Sequence, residues 1–100
     1  MYFHIFGFKW KPEATETQKT QATTDILAFR GKIDGLLEAH IGLNLSPRSQ
    51  GYTFAGIMRF TDKAAFDAYM AHPTHDTLIK WLMPLIEPVE LDFQALDGDS

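Results

Sequence analysis

Two segments of this chain are apolar on both faces of a strand, and that feature limits the fold more than any other. Residues 2–10 read YFHIFGFKW. The density of aromatic and β-branched residues predicts a strand. Its alternate side chains fall into the sets Tyr2/His4/Phe6/Phe8/Trp10 and Phe3/Ile5/Gly7/Lys9. Tyr52–Phe60 reads as a second strand, with faces Tyr52/Phe54/Gly56/Met58/Phe60 and Thr53/Ala55/Ile57/Arg59. A strand with one wet face alternates apolar with polar residues; these two do not, so both of their faces are expected to be covered.

The segments between them supply cover for one face only. Pro12 and the acidic Glu13 and Glu16 suit a helix start, and Thr15-x-x-Gln18 has the form of a capping box. A helix is predicted over 13–30, with Ala22, Ile26, Phe29 and Ile33 on its apolar stripe and a short extra turn at 33–37 bounded by Gly31 and Gly35. Residues 39–45 read as a short strand, and 46–51 as a loop. Thr61 or Asp62 can cap the next helix, DKAAFDAYMA, which presents Phe66, Tyr69 and Met70. His72-Pro73 interrupts helical geometry. A further helix is predicted over 74–83, with Leu78, Trp81, Leu82 and Leu85 on its stripe, and Pro84 and Pro88 ending helical structure. Val89–Phe93 alternates and reads as a last strand. Residues 1–96 are expected to form one domain and 97–100 a polar tail.

The order β, α, β, β, α(α), β is that of an α+β, ferredoxin-like protomer: a four-stranded antiparallel sheet with helices on one face. Phe3, Ile5, Ala55 and Ile57 then lie bare on the other face, a large apolar patch for a monomer. Two such sheets packed face to face about a two-fold axis bury both patches, so a homodimer is expected. Arg59 shares that face and is expected to pair with a carboxylate or to edge the interface.

Composition excludes other classes. In 100 residues, 45% are hydrophobic and the formal net charge is −4, outside the disordered range. The acidic balance and the lack of a Lys/Arg cluster argue against nucleic acid as a partner. Without cysteine there is no disulfide, thiolate metal site or thiol nucleophile. No apolar run approaches the roughly 18–20 residues of a membrane span. The opening Met1-Tyr2-Phe3-His4 does not look like a signal peptide, and a cytoplasmic protein is expected. Lys9, Lys11 and Arg48 read as solvated charges. The glycines are isolated and form no phosphate loop.

The segments HIFGFKWKPEAT, GYTFAGIMRFTDKAAFDAY and HPTH at 72–75 carry a resemblance. Across about residues 2–95 the chain resembles the stress-responsive dimeric α/β-barrel (Dabb) family, most specifically in Tyr-x-x-His-Pro-x-His. The resemblance implies a ferredoxin-like protomer and a homodimer whose two sheets form a barrel. It fixes function less closely, because most members have no established activity. A minority are polyketide cyclases that close a poly-β-keto chain by intramolecular aldol condensation, without metal or cofactor. In those members the Tyr and the last His of the motif carry the chemistry, and they match Tyr69 and His75 here. His4 matches a pocket-lining position. Cyclase-like members often carry a His after Gly-Tyr-Thr, where this chain has Phe54. The scaffold also resembles cofactorless monooxygenases of related dimeric barrels.

The candidate chemistry follows from these positions. His75 falls in the first turn of a helix, where the dipole and burial both favour neutral imidazole, a proton acceptor for enolisation. A Tyr69 phenol aimed at a ketone oxygen can steady an enolate. Phe6, Phe54, His72 and Trp81, with His4, are the expected substrate-binding residues. The structural alternative is that His72 and His75 cap the helix junction while Tyr69 is core. His72, His75 and Asp76 are close in sequence, but Pro73 breaks their regular spacing, and neither metal nor cofactor is expected. Two readings stay open. One is a non-catalytic dimeric barrel holding a small hydrophobic or keto-rich molecule between sheet and helices. The other is a cofactor-independent enzyme using Tyr69 and His75.

Overall fold

The computed structural model describes residues 1–97; the predicted tail therefore lies outside the described residues except for Asp97. The elements are β1 (Tyr2–Trp10), α1 (Glu16–Leu27), β2 (Leu36–Leu43), β3 (Phe54–Phe60), α2 (Lys63–Met70), α3 (Pro73–Leu82), a short 3-10 turn (Met83–Leu85) and β4 (Ile86–Gln94). The four strands form one antiparallel sheet in the order β2-β3-β1-β4. This is the expected α+β, ferredoxin-like arrangement.

Local sequence sets each helix start. In α1 the Gln18 amide donates to Thr15 Oγ1 at 3.1 Å and the Thr15 amide donates to Gln18 Oε1 at 2.9 Å, so the capping box closes. The helix therefore begins at Glu16 rather than at 13, because Lys11–Ala14 makes its own turn. It also ends before 30: Phe29, Arg30 and Lys32 donate to carbonyls three residues back, and Gly31 adopts a φ of +78° that terminates the coil. In α2 the Ala65 amide donates to Asp62 Oδ1 at 2.8 Å. In α3 the Thr74 amide donates to His72 Nδ1 at 3.1 Å and Pro73 occupies the first turn, where its missing N–H costs nothing.

The strands differ from expectation at their ends. β2 begins at Leu36 and stops at Leu43, displaced from 39–45, because Gly35 makes the turn that the sequence reading assigned to an extra helical turn. Gly35 has a φ of +82°, and a Cβ there would meet Ala65 at 2.6 Å. β3 starts at Phe54, two residues later than expected. β4 runs from Ile86 to Gln94, longer than 89–93, and includes Pro88 rather than following it. An edge strand tolerates that proline. At the opposite edge, Arg30 Nε donates to the Ala39 carbonyl of β2 at 2.7 Å.

The helices cover one sheet face. Phe29, Met58, Phe60 and Leu82 are fully buried between the layers, with Tyr2, Phe6 and Phe8 from β1 beside them. On the other face the register aligns Ile5 with Ile57 and with Leu91, and Phe3 with Phe93. No element among the described residues covers Phe3, Ile5, Ala55 or Ile57. Val89, Leu91 and Phe93 join them, and Leu91 is 64% exposed.

Candidate functional site

A half-open cavity of about 180 Å³ lies between the covered sheet face and the helices. A dry apolar cavity of about 150 Å³ holds one benzene ring, so this one has room for a single-ring molecule. β1 supplies His4 and Phe6 to its wall, the end of α2 supplies Tyr69, α3 supplies His75 and Leu78, and β4 supplies Glu90.

Each polar group owes its position to a local device. Tyr69 is in the last turn of α2, and the His72-Pro73 junction turns the chain so that His75 enters from the first turn of α3. The two rings meet edge-on with centroids 4.6 Å apart. Tyr69 also packs against Phe29 at 5.2 Å, and the His4 ring lies 6.3 Å from it. Tyr69 thus neighbours both histidines. His4 is fixed from behind by Asp92, whose Oδ1 lies 2.5 Å from His4 Nδ1, and Glu90 Oε1 is 3.8 Å from the same nitrogen. The register of β1 and β4 makes both contacts, pairing His4 with Asp92 and Phe6 with Glu90.

Burial tunes two of these groups in opposite directions. It holds His75 below the ordinary imidazole value, with the Met70 main chain partly opposing. It pushes the Tyr69 phenol well above its ordinary value, and the nearby Glu90 charge adds to that rise. At neutral pH the pair is therefore a free base beside a phenol that keeps its proton. His75 is 8% exposed, and its Nδ1 is buried without a hydrogen-bond partner. Buried polar atoms in native proteins normally have partners. The Trp10 indole Nε1 is the other such side-chain atom among the described residues.

Of the residues named from sequence, the structure brings His4, Phe6, Tyr69 and His75 to this cavity and leaves Phe54, His72 and Trp81 off its wall. Phe54 lies toward the start of β3, edge-on to Trp10 at 5.3 Å, while the cavity lies over β1 and β4. His72 spends its Nδ1 on the α3 cap. The cavity stripe of α3 runs through 75, 78, 79 and 82, and Trp81 is rotated away from it, packed on the core margin. Glu90 and Asp92 were not foreseen. His4, Glu90 and Asp92 place three ligand-type atoms within 4.8 Å of one another, the set among the described residues that could hold a metal ion. As they stand, the 2.5 Å His4–Asp92 contact is a hydrogen bond.

The open face carries its own polar cluster. Arg59 Nε donates to Glu38 Oε1 at 2.8 Å, and His40 Nε2 is 3.3 Å from Glu38 Oε2. These hydrogen bonds, Arg59 first, hold the Glu38 carboxyl below its ordinary value. Phe3 and Phe93 stack beside them at 5.1 Å.

A family model, the stress-responsive A/B barrel domain (Dabb), matches residues 3–97. The chain belongs to the Dabb family. Solved structures agree in fold. A dimeric ferredoxin-like protein of unknown function from Jannaschia sp. CCS1 is 25% identical, with a TM-score of 0.83 over 94% of this chain and 98% of that one. A hydroxynitrile lyase from Passiflora edulis is 21% identical, with a TM-score of 0.87 over 99% and 96%. SnoaB, a cofactor-independent oxygenase from Streptomyces nogalater, is 18% identical, with a TM-score of 0.74 over 97% and 94%. At the last two identities the likeness shows the fold alone. No curated protein matches the chain. No helix among the described residues is long and apolar enough to cross a membrane.

Proposed function

We propose that this Dabb protein is a homodimer whose protomers each bind a small, mainly apolar, carbonyl-bearing molecule in the cavity between sheet and helices, and act on it by cofactor-free proton transfer. The observation that carries this reading is the unpartnered, buried Nδ1 of His75, on a residue of the cavity wall beside Tyr69. A neutral imidazole kept from water is a competent general base. The Tyr69 phenol cannot act as a base with its proton held so firmly, but it can donate to an oxygen that gains charge. In sequence, a ligand places its carbonyl oxygen near Tyr69 and its α-carbon near His75. His75 takes the α-proton, and the enolate oxygen accepts from Tyr69. The proton then returns to carbon or to a leaving oxygen. An aldol closure, a β-elimination of a leaving oxygen and an oxygenation by dioxygen each begin from such a carbanion, so the reaction type depends on the ligand. His4, Phe6 and the aliphatic wall shape the ligand's body.

The dimer part of the proposal rests on the open face. Phe3, Ile5, Ala55 and Ile57, edged by Arg59, form the interface, and Val89, Leu91 and Phe93 extend it. Several similar structures are of dimeric proteins, which supports the same pairing.

Acetophenone in deuterated buffer tests the chemistry. Binding is read from the shifts of cavity methyl groups, and deuterium uptake at the ketone methyl reads proton abstraction. His75→Ala is expected to abolish the protein-dependent uptake while the fold and binding persist. Tyr69→Phe is expected to slow it by about a hundredfold, in the range of general acid–base contributions. Binding without uptake in the wild type leaves the non-catalytic binding module as the function; unchanged uptake in folded His75→Ala removes His75 from the chemistry.

A further inference from the structure

The charge of the cavity wall is one-sided. Its titratable members are His4, Tyr69, His75 and Glu90, and it includes neither lysine nor arginine. β4 sets this bias by turning Glu90 and Asp92, two residues apart, onto the covered face next to His4. Glu90 on the wall and Asp92 behind His4 set two acidic groups beside one imidazole, with no lysine or arginine on the wall to offset them, so the local excess is negative. Burial keeps His75 and Tyr69 uncharged at neutral pH, so neither changes that sign.

The two carboxylates do different things. Asp92 is committed to His4 at 2.5 Å. Glu90 has no contact that short; its side chain is 45% exposed and still forms part of the wall, so it stands at the mouth. An ionised carboxylate accepts hydrogen bonds and donates none. It meets the outward end of any molecule whose apolar body fills the space against Phe6 and Leu78.

We infer that Glu90 makes the cavity select ligands whose outward polar head is a hydroxyl, amine or ammonium group, and exclude those that end in a carboxylate. The inference rests on the reading that a small apolar molecule occupies this cavity, and it names the other end of that molecule. The carbonyl goes to Tyr69 and His75, and the hydrogen-bond donor goes to Glu90.

Three probes of one size separate the two ideas: benzyl alcohol, benzylammonium and benzoate. Each is titrated into the wild type, Glu90→Gln and the exposed control Glu13→Gln, with binding read from the methyl signals of Met70 and Leu78. The alcohol and the ammonium are expected to bind the wild type, and benzoate at least about tenfold more weakly, the size of a partly screened like-charge contact. In Glu90→Gln, benzoate is expected to approach the alcohol and the ammonium to lose about tenfold, while Glu13→Gln keeps the wild-type order. A second measurement needs no variant: raising ionic strength on the wild type narrows the gap between benzoate and alcohol. Benzoate binding the wild type as tightly as the alcohol overturns the inference and leaves the cavity reading intact. So does an unchanged order in folded Glu90→Gln. Failure of the uncharged alcohol to shift the cavity methyls removes the cavity reading, and this inference with it.

Discussion

The two faces of the sheet are built from the same strands and end in opposite conditions. On the covered face, Tyr2, Phe6, Phe8, Met58 and Phe60 meet the helices and are buried, beside a half-open cavity at His4, Tyr69 and His75. On the open face, Phe3, Ile5, Ala55 and Ile57 are half-buried by their strand neighbours but lie under no helix, and the apolar side chains of β4 add to them. β4 sharpens the contrast. It sends Glu90 and Asp92 toward the covered side and Val89, Leu91 and Phe93 toward the bare one, with Glu87 at the start of that bare set. Over residues 89–93 this places apolar side chains on the face proposed to pair and acidic ones at the margin of the cavity proposed to bind a ligand.

The largest way to break that contrast is to charge the bare face. Ile57→Asp sets a carboxylate at its centre, opposite Ile5 and next to His40. Burying an unpaired charge is costly, and the dimer dissociation constant is expected to rise at least about a hundredfold, read by sedimentation. A dimer of normal strength after this change would move the interface elsewhere. On the covered face the corresponding change is steric. A Cβ at Gly56 overlaps the Phe6 ring and meets the His40 carbonyl at 2.7 Å. Gly56→Ala is expected to cost about 1–3 kcal/mol in denaturant unfolding and to disturb the cavity through Phe6, leaving the dimer contact in place. A neutral result would mean that Phe6 has free room to turn.

The smallest effect is electrostatic and confined to the cavity. His75 is depressed in the folded state relative to its ordinary value near 6.5, so the unfolded chain takes up that proton first. The stability it contributes is full above about pH 6.5 and falls as pH drops toward the folded value. His75→Gln is expected to flatten the acid side of the stability profile relative to wild type. Parallel profiles for the two proteins would show that His75 titrates as freely folded as unfolded.

Much of this was legible in the residues because it depends on local pattern. The doubled apolar faces of β1 and β3 called for a second cover, and Thr15, Asp62 and Pro73 marked the helix starts. The Tyr69-x-x-His72-Pro73-x-His75 spacing singled out the two rings that meet in the cavity. What stayed hidden depends on register. The alternation of 89–93 announced a strand but not which set of side chains would face the helices, and so Glu90 and Asp92 escaped notice although they flank His4. Phe54 is expected near the ligand because it stands where cyclase-like relatives carry a His after Gly-Tyr-Thr, and Trp81 as a large aromatic on the stripe of α3. Only the angular position of Trp81 on α3, and the distance of Phe54 along β3, remove them. His72 was legible as a cap and as a site residue, and the structure gives its nitrogen to the cap.

Both rims of the sheet are closed to further strands. At β2, the Arg30 guanidinium occupies the Ala39 carbonyl, an acceptor that an incoming chain would need. At β4, Pro88 contributes no N–H to a rim already bordered by charged neighbours, Glu87 and Glu90. Sideways growth into a ribbon is thereby obstructed at either end, while stacking through the bare face remains open. In the proposed pair each outer side is covered by helices, where only Met70 and Met83 of the large apolar helical side chains stay exposed among the described residues. The dimer we propose would use up the sticky patch, which would make the pair an end point rather than the first step toward a fibre.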